Sequence, residues 1–106
     1  QKLNFVFILA DDYGYHDLSI SGSNFYETPN IDRMADEGIK FTDFYSASSV
    51  CSPSRAALLT GRLPQRMGIN SVFFPESFTG MSPNEVTIAE VLKQKNYAAT
   101  LVKRIP

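Results

Sequence analysis

The sequence predicts an α/β fold, the N-terminal part of a predominantly parallel sheet sandwiched by helices. Three observations lead there. Residues 3–10, LNFVFILA, form an unbroken apolar run rich in β-formers, as in a strand covered on both faces. Strand-like and helix-like segments alternate along the chain, the order of α/β layering. The first run also ends abruptly in Asp11-Asp12-Tyr13-Gly14, and open α/β sheets bind their ligands at the carboxyl ends of strands.

Each element has its own justification. After the first run comes a polar loop over 14–27. TPNIDRMADEG then reads as a short helix: Thr28 suits its cap, Pro29 its first position and Gly38 its end, with Ile31, Met34 and Ala35 on one face. Residues 39–47, IKFTDFYSA, alternate weakly and predict a second strand. Ser48 to Cys51 lead into a second helix, with Pro53 near its start and Gly61 at its end. Residues 63–83 are punctuated by Pro64, Gly68, Pro75, Gly80 and Pro83 and read as a loop. Thr87 and Glu90 make a capping box for a third helix that should reach about Asn96, and YAATLV, 97–102, predicts a third strand. No internal repeat, linker or low-complexity tract interrupts this order.

Composition narrows the function. The chain is 43% hydrophobic and 20% charged with a formal net charge of -1, a globular balance without the basic excess that nucleic acid would need. No apolar run nears the roughly 20 residues of a bilayer span, and FVFILA lacks the flanks of a signal peptide. The single cysteine, Cys51, does not identify a redox compartment.

That cysteine opens CSPSRAALLTGR, residues 51–62. A solitary cysteine is commonly a small buried hydrophobe. At a helix N-terminus, beside the planar cation of Arg55, it is also placed to handle a tetrahedral oxyanion. Thiol phosphatases use a longer C-x5-R loop, whereas here the spacing is C-x3-R and Pro53 removes an amide. No P-loop occurs, so nucleotide binding has no support.

The stretch resembles the signature of the type I sulfatases, C-x-P-S-R-x-x-x-L-T-G-[RK], at Cys51, Pro53, Ser54, Arg55, Leu59, Thr60, Gly61 and Arg62. NFVFILADDYGYHDL, TPNIDRMADEGIKFTDFYS, RLPQRMGI and EVTIAEVLKQKNY follow the arylsulfatase-like pattern in order, to about residue 102. The resemblance implies a sulfatase, alkaline-phosphatase-like fold, of which residues 1–106 would be an incomplete N-terminal segment of the catalytic domain. It implies a sulfuric ester hydrolase acting on aryl or sugar sulfates. Cys51 would be oxidised to formylglycine by a separate formylglycine-generating enzyme reading Cys51, Pro53 and Arg55 on the unfolded chain. The hydrated aldehyde offers one hydroxyl to attack sulfur and a second whose deprotonation expels sulfate. Arg55 would hold the diol and the sulfate as a catalytic partner of Cys51. Asp11 and Asp12, with the modified Cys51, would ligate Ca²⁺, or Mg²⁺, as hard oxygen donors. Ser52, Ser54 and Thr60 fit caps and supports, and His16 a loop. The family also implies a secreted, periplasmic or lysosomal setting.

The family's second signature, roughly G-Y-x-T-x-x-x-G-K-x-H, fits only at Tyr97. Asn96, Ala99, Lys103, Arg104 and Pro106 replace its glycine, threonine, second glycine, lysine and histidine. Arg104 lacks the point charge of lysine, and Pro106 has no acid or base. Three functions are therefore compatible with the sequence: a sulfatase, a phosphonate or phosphate ester hydrolase of the same superfamily, and a non-catalytic truncated fragment.

Overall fold

The computed structural model describes residues 2–102. The chain forms two compact units, residues 1–44 and 45–106. Substitutions at Lys103, Arg104 and Pro106 lie outside the described residues.

In the first unit a 3-10 turn at Ser19–Ser21 packs against helix α1, Pro29–Glu37. The helix begins and ends where its proline and Gly38 predict. Thr28 occupies the cap position, yet its side chain does not cap α1. Its hydroxyl is committed elsewhere, accepting from the Ser19 amide at 3.0 Å and donating to Asp32 at 2.9 Å. The apolar face of α1 is not a core face: Ile31 and Met34 are exposed, and only Ala35 is half-buried.

The second unit holds the core. Helix α2, Cys51–Thr60, buries Pro53, Ala56 and Ala57 on one stripe, the i, i+3, i+4 spacing that lines one helical face. It packs on a 3-10 turn at Pro64–Met67 and on helix α3, Ile88–Lys93. Ile69, 1% exposed, and Pro64 complete the cluster. Complete burial of one such aliphatic side chain stabilises by about 1.5–3 kcal/mol.

Left-handed residues close these elements. Gly61, at φ 68°, returns its amide to the Ala57 carbonyl at 2.7 Å and ends α2. Gly68, at φ 72°, sends its amide to Gln65, and the Ile69 amide goes to Pro64 at 3.0 Å. That double bond is a Schellman closure, with Pro64 and Ile69 as its apolar pair. The capping box of α3 is formed, Thr87 and Glu90 binding each other's amides. The helix stops at Lys93, short of the predicted Asn96. Asn96 takes φ 60° instead, its amide bonding Lys93 and that of Tyr97 bonding Leu92. Asparagine tolerates this conformation best after glycine, so the loss of the family's glycine at 96 leaves the turn intact.

The sheet needs correcting. Among the described residues there is no strand: 3–10, 39–47 and 97–102 belong to no β-ladder. Apolar side chains of the first run face solvent, with Val6 87% and Ile8 80% exposed. A β-strand exists only through its neighbour's hydrogen bonds, and parallel strands gain neighbours through crossover units. Apolar, β-branched composition marks the run as suited to a sheet without supplying that partner. The 63–83 segment, read as loop, contains the unpredicted turn at 64–67, whose signal was the Pro64 and Gly68 pair.

Candidate active site

The motif that begins at Cys51 forms a helix from its first residue. Val50 is the extended cap residue, and its carbonyl accepts the Ser54 amide at 3.2 Å. The helix offers no acceptor for the amides of Cys51 and Ser52, and Pro53 has none to offer. Cys51 thus sits exposed at the positive end of the helix dipole, with two amides nearby. Arg55, one turn on, is also exposed.

The remainder of the motif fastens this turn in place. Pro53 is buried under it. The Ser52 hydroxyl accepts the Phe73 amide at 2.8 Å, tying the loop after Ile69 to the residue beside Cys51. Ser52 is therefore a support, as the sequence suggests, but of a distant loop and not of its own helix. Nothing in the sequence marks that pairing. Thr60 donates to the Ala56 carbonyl at 2.7 Å, with the Met67 sulfur 3.3 Å away. Arg62 places Nη1 at 2.6 and 2.7 Å from the two carboxylate oxygens of Glu85, linking the end of α2 to the approach to α3. Arginine at the last motif position thus has a structural partner that the motif alone did not reveal.

Asp11 and Asp12 lie in the other unit, at the end of the apolar run, and both are exposed. Asp12 has φ 51°, a left-handed conformation that aspartate adopts more readily than most residues. His16 lies in the following loop, its Nδ1 2.9 Å from the Ser21 carbonyl, as its reading as a loop residue suggests. Among the described residues no three His, Cys, Asp or Glu side chains converge to hold a metal. The donors still suit what the resemblance implies: two adjacent hard carboxylates favour Ca²⁺ or Mg²⁺, as part of the six to eight oxygens calcium takes. An exposed thiol at a helix start likewise has the access that a formylglycine nucleophile needs.

Comparison with known proteins agrees with the motif. The Sulfatase family model matches residues 3–104. Human Arylsulfatase G is 50% identical over 102 residues, covering 96% of this chain and 19% of that protein. Human Arylsulfatase A is 54% identical over 95 residues, 89% of this chain and 19% of its own. Mouse N-acetylgalactosamine-6-sulfatase is 46% identical over 110 residues, 96% and 21% respectively. Among solved structures, the crystal structure of Ps i-CgsB superposes with a TM-score of 0.79 at 42% identity, over 85% of this chain and 20% of that one. The same protein in complex with k-i-k-neocarrahexaose gives 0.76 at 40% identity, over 82% and 20%.

The chain belongs to the Sulfatase family. It spans about a fifth of the length of the curated relatives it matches. No helix among the described residues is long and apolar enough to cross a membrane.

Proposed function

We propose that the chain is the N-terminal segment of a sulfatase catalytic domain that hydrolyses sulfate esters, aryl or sugar, with Cys51 as the precursor of its nucleophile. The observation that carries this is the full C-x-P-S-R motif folded as the first turn of α2, with Cys51 exposed at its tip. Formylglycine at position 51, made by a formylglycine-generating enzyme, supplies a hydrated aldehyde that can both attack sulfur and release sulfate. The amides of Cys51 and Ser52 and the guanidinium of Arg55 face an anion there and offset charge on its oxygens. Asp11 and Asp12 are the carboxylates that would hold Ca²⁺, or Mg²⁺, which neutralises a sulfate oxygen. Pro53 and Ser52 keep the turn from shifting under the substrate. Membership of the family fits a secreted, periplasmic or lysosomal setting.

The names of the relatives favour sulfate over the phosphonate or phosphate esters that other members of the superfamily cleave. The non-catalytic reading rests on the replaced second signature. Side-by-side assays of an aryl sulfate and an aryl phosphate, on chain matured with the modifying enzyme, separate the three. Sulfate turnover abolished by Cys51→Ala is expected. Preferential phosphate turnover would move the assignment to the other hydrolases. Turnover of neither would leave a non-catalytic segment.

A further inference from the structure

Asp32 has no part in the chemistry proposed above, yet its carboxylate accepts three hydrogen bonds from other residues. Its Oδ2 accepts the Ser19 hydroxyl. Its Oδ1 accepts the Ile20 amide at 3.2 Å and the Thr28 hydroxyl at 2.9 Å. Ser19 and Thr28 are bound to each other as well, each amide donating to the other's hydroxyl oxygen at 3.0 Å. Both hydroxyl protons point to Asp32, so the 2.9 Å approach of the two oxygens follows from the shared carboxylate. Lys40, from the segment after α1, donates to the Ile20 carbonyl at 3.3 Å. Residues 19–20 and 28–32 thus meet at one aspartate, with Lys40 bound to the backbone beside it.

Two local turns lie between this knot and the acidic pair, and His16 joins them, its Nδ1 2.9 Å from the Ser21 carbonyl. The Leu18 carbonyl accepts the Ser21 amide at 2.9 Å and the Ser23 amide at 3.1 Å. Asp17 and Gly14 bind each other twice, the Asp17 amide to the Gly14 carbonyl at 3.1 Å and the Gly14 amide to the Asp17 carboxylate at 2.6 Å. Gly14 is two residues from Asp12, whose φ of 51° needs a supported backbone to persist.

We infer that Asp32 is a positioning residue, clasping residues 19–28 to the start of α1 and, through the turn at 14–17, holding the backbone that leaves Asp11 and Asp12. Its bearing on metal binding rests on the function proposed above; the clasp itself does not. Hydrogen bonds from Ser19 first, then from Thr28 and Ile20, with the charge of Lys40, hold the Asp32 carboxyl below its usual value, against the opposing effect of burial. A depressed folded value means that the clasp is whole above the ordinary aspartate range, near ~3.9, and opens as pH falls through the folded value. Lys40 is the charge that acts on Asp32; close in sequence stand His16 and Asp17, before the 3-10 turn, and Arg33 and Asp36 on α1.

Amide hydrogen exchange on the full chain, with a parallel Ca²⁺ titration, tests this. At neutral pH the amides of Ser19, Ile20 and Thr28 should be protected. Asp32→Asn should speed their exchange at least about tenfold, since bonds to an ionised acceptor are the strong ones. The Gly61 amide, in the other unit, should not respond. Ser19→Ala, which keeps the charge, should expose the Thr28 amide, whose acceptor it removes, and give a smaller loss at Ile20, which still reaches Asp32. If Ca²⁺ binds the wild type, Asp32→Asn should weaken it several-fold. Unchanged exchange in Asp32→Asn, or open-chain exchange of the three amides in the wild type, would overturn the clasp. Ca²⁺ binding that Asp32→Asn leaves unaltered would overturn its positioning role. Absence of Ca²⁺ binding together with the expected exchange pattern would sink the metal assignment and leave the clasp standing.

Discussion

Around Cys51 the residues that matter most to geometry are not the reactive ones. The Ser52 hydroxyl accepts the Phe73 amide across a separation of 21 residues, and that bond fixes where the following loop rests. Ser52→Ala leaves a half-buried amide without its acceptor, a loss of about 1 kcal/mol. The Phe73 amide should then exchange roughly fivefold faster, while the Gly61 amide, which closes the same helix on Ala57, keeps its rate. Ser52→Thr should restore protection because the acceptor oxygen returns. An equal change at Phe73 and Gly61 would mean that Ser52 acts on the helix as a whole. At this scale the sequence was informative where a residue's chemistry is rare. The Cys51-to-Arg62 motif stood out because so long a signature rarely arises by chance, and the Asp11–Asp12 pair, which alone would read as a solvated turn, took its metal-binding reading from that motif. Pairings such as Ser52 with Phe73, Arg62 with Glu85, and Asp32 with Ser19 and Thr28 were not legible. Each joins common polar residues, and only the folded path of the chain selects the partner.

Local elements were legible when their start and stop signals are local. Helices α1 and α2 begin and end on the residues that the caps, prolines and glycines indicate. The Thr87–Glu90 capping box is present because all its parts lie within four residues. The end of α3 came out shorter, since Asn96 can leave the helical region almost as readily as glycine. Strands failed for the opposite reason: their bonding partners are remote, and apolar runs such as 3–10 do not encode them. The capping box makes a test at this scale. Bonds from the Thr87 amide and hydroxyl, with smaller help from the charge of Lys93, hold the Glu90 carboxyl below its usual value. Its contribution to α3 is therefore complete above the ordinary glutamate range, near ~4.3, and is lost as pH falls through the folded value. Exchange of the Val91 and Gln94 amides should accelerate over that acid range, beyond the intrinsic pH trend. Glu90→Gln, which can still reach back to the cap, should flatten the response. A response of equal size in Glu90→Gln would assign it to another carboxyl.

Taken as a whole, the chain exposes far more apolar surface than its small core buries. Leu3, Phe5, Val6, Phe7 and Ile8 are each at least 68% exposed, against a buried hydrophobic core of Ala56, Ala57 and Ile69. Contiguous apolar surface beyond a few hundred Å² ordinarily marks a partner surface or a tendency to aggregate, and net stabilities are only ~5–15 kcal/mol. The purified chain should therefore bind a hydrophobic dye strongly through residues 3–10. Placing lysine at exposed positions of the run, Val6→Lys with Ile8→Lys, should lower dye binding while leaving the Gly61 amide unchanged. Little dye binding would show that 3–10 is covered in solution. Family membership was legible at this scale because the motif and its flanking stretches keep their order over nearly the whole chain, a property of sequence that survives without a sheet.

The central claim is that Cys51 is the raw material of a sulfatase nucleophile, and the mass of the peptide that carries it tests this most directly. Chain produced together with a formylglycine-generating enzyme should be digested and the Cys51 peptide weighed. Conversion of the thiol to an aldehyde lowers the mass by about 18 Da, a covalent change that redefines the site. The account predicts this shift in the wild type and its loss in Pro53→Ala and Arg55→Ala, which break the recognised motif. A wild-type peptide that keeps its free thiol mass, under conditions where a reference sulfatase is converted, would contradict it.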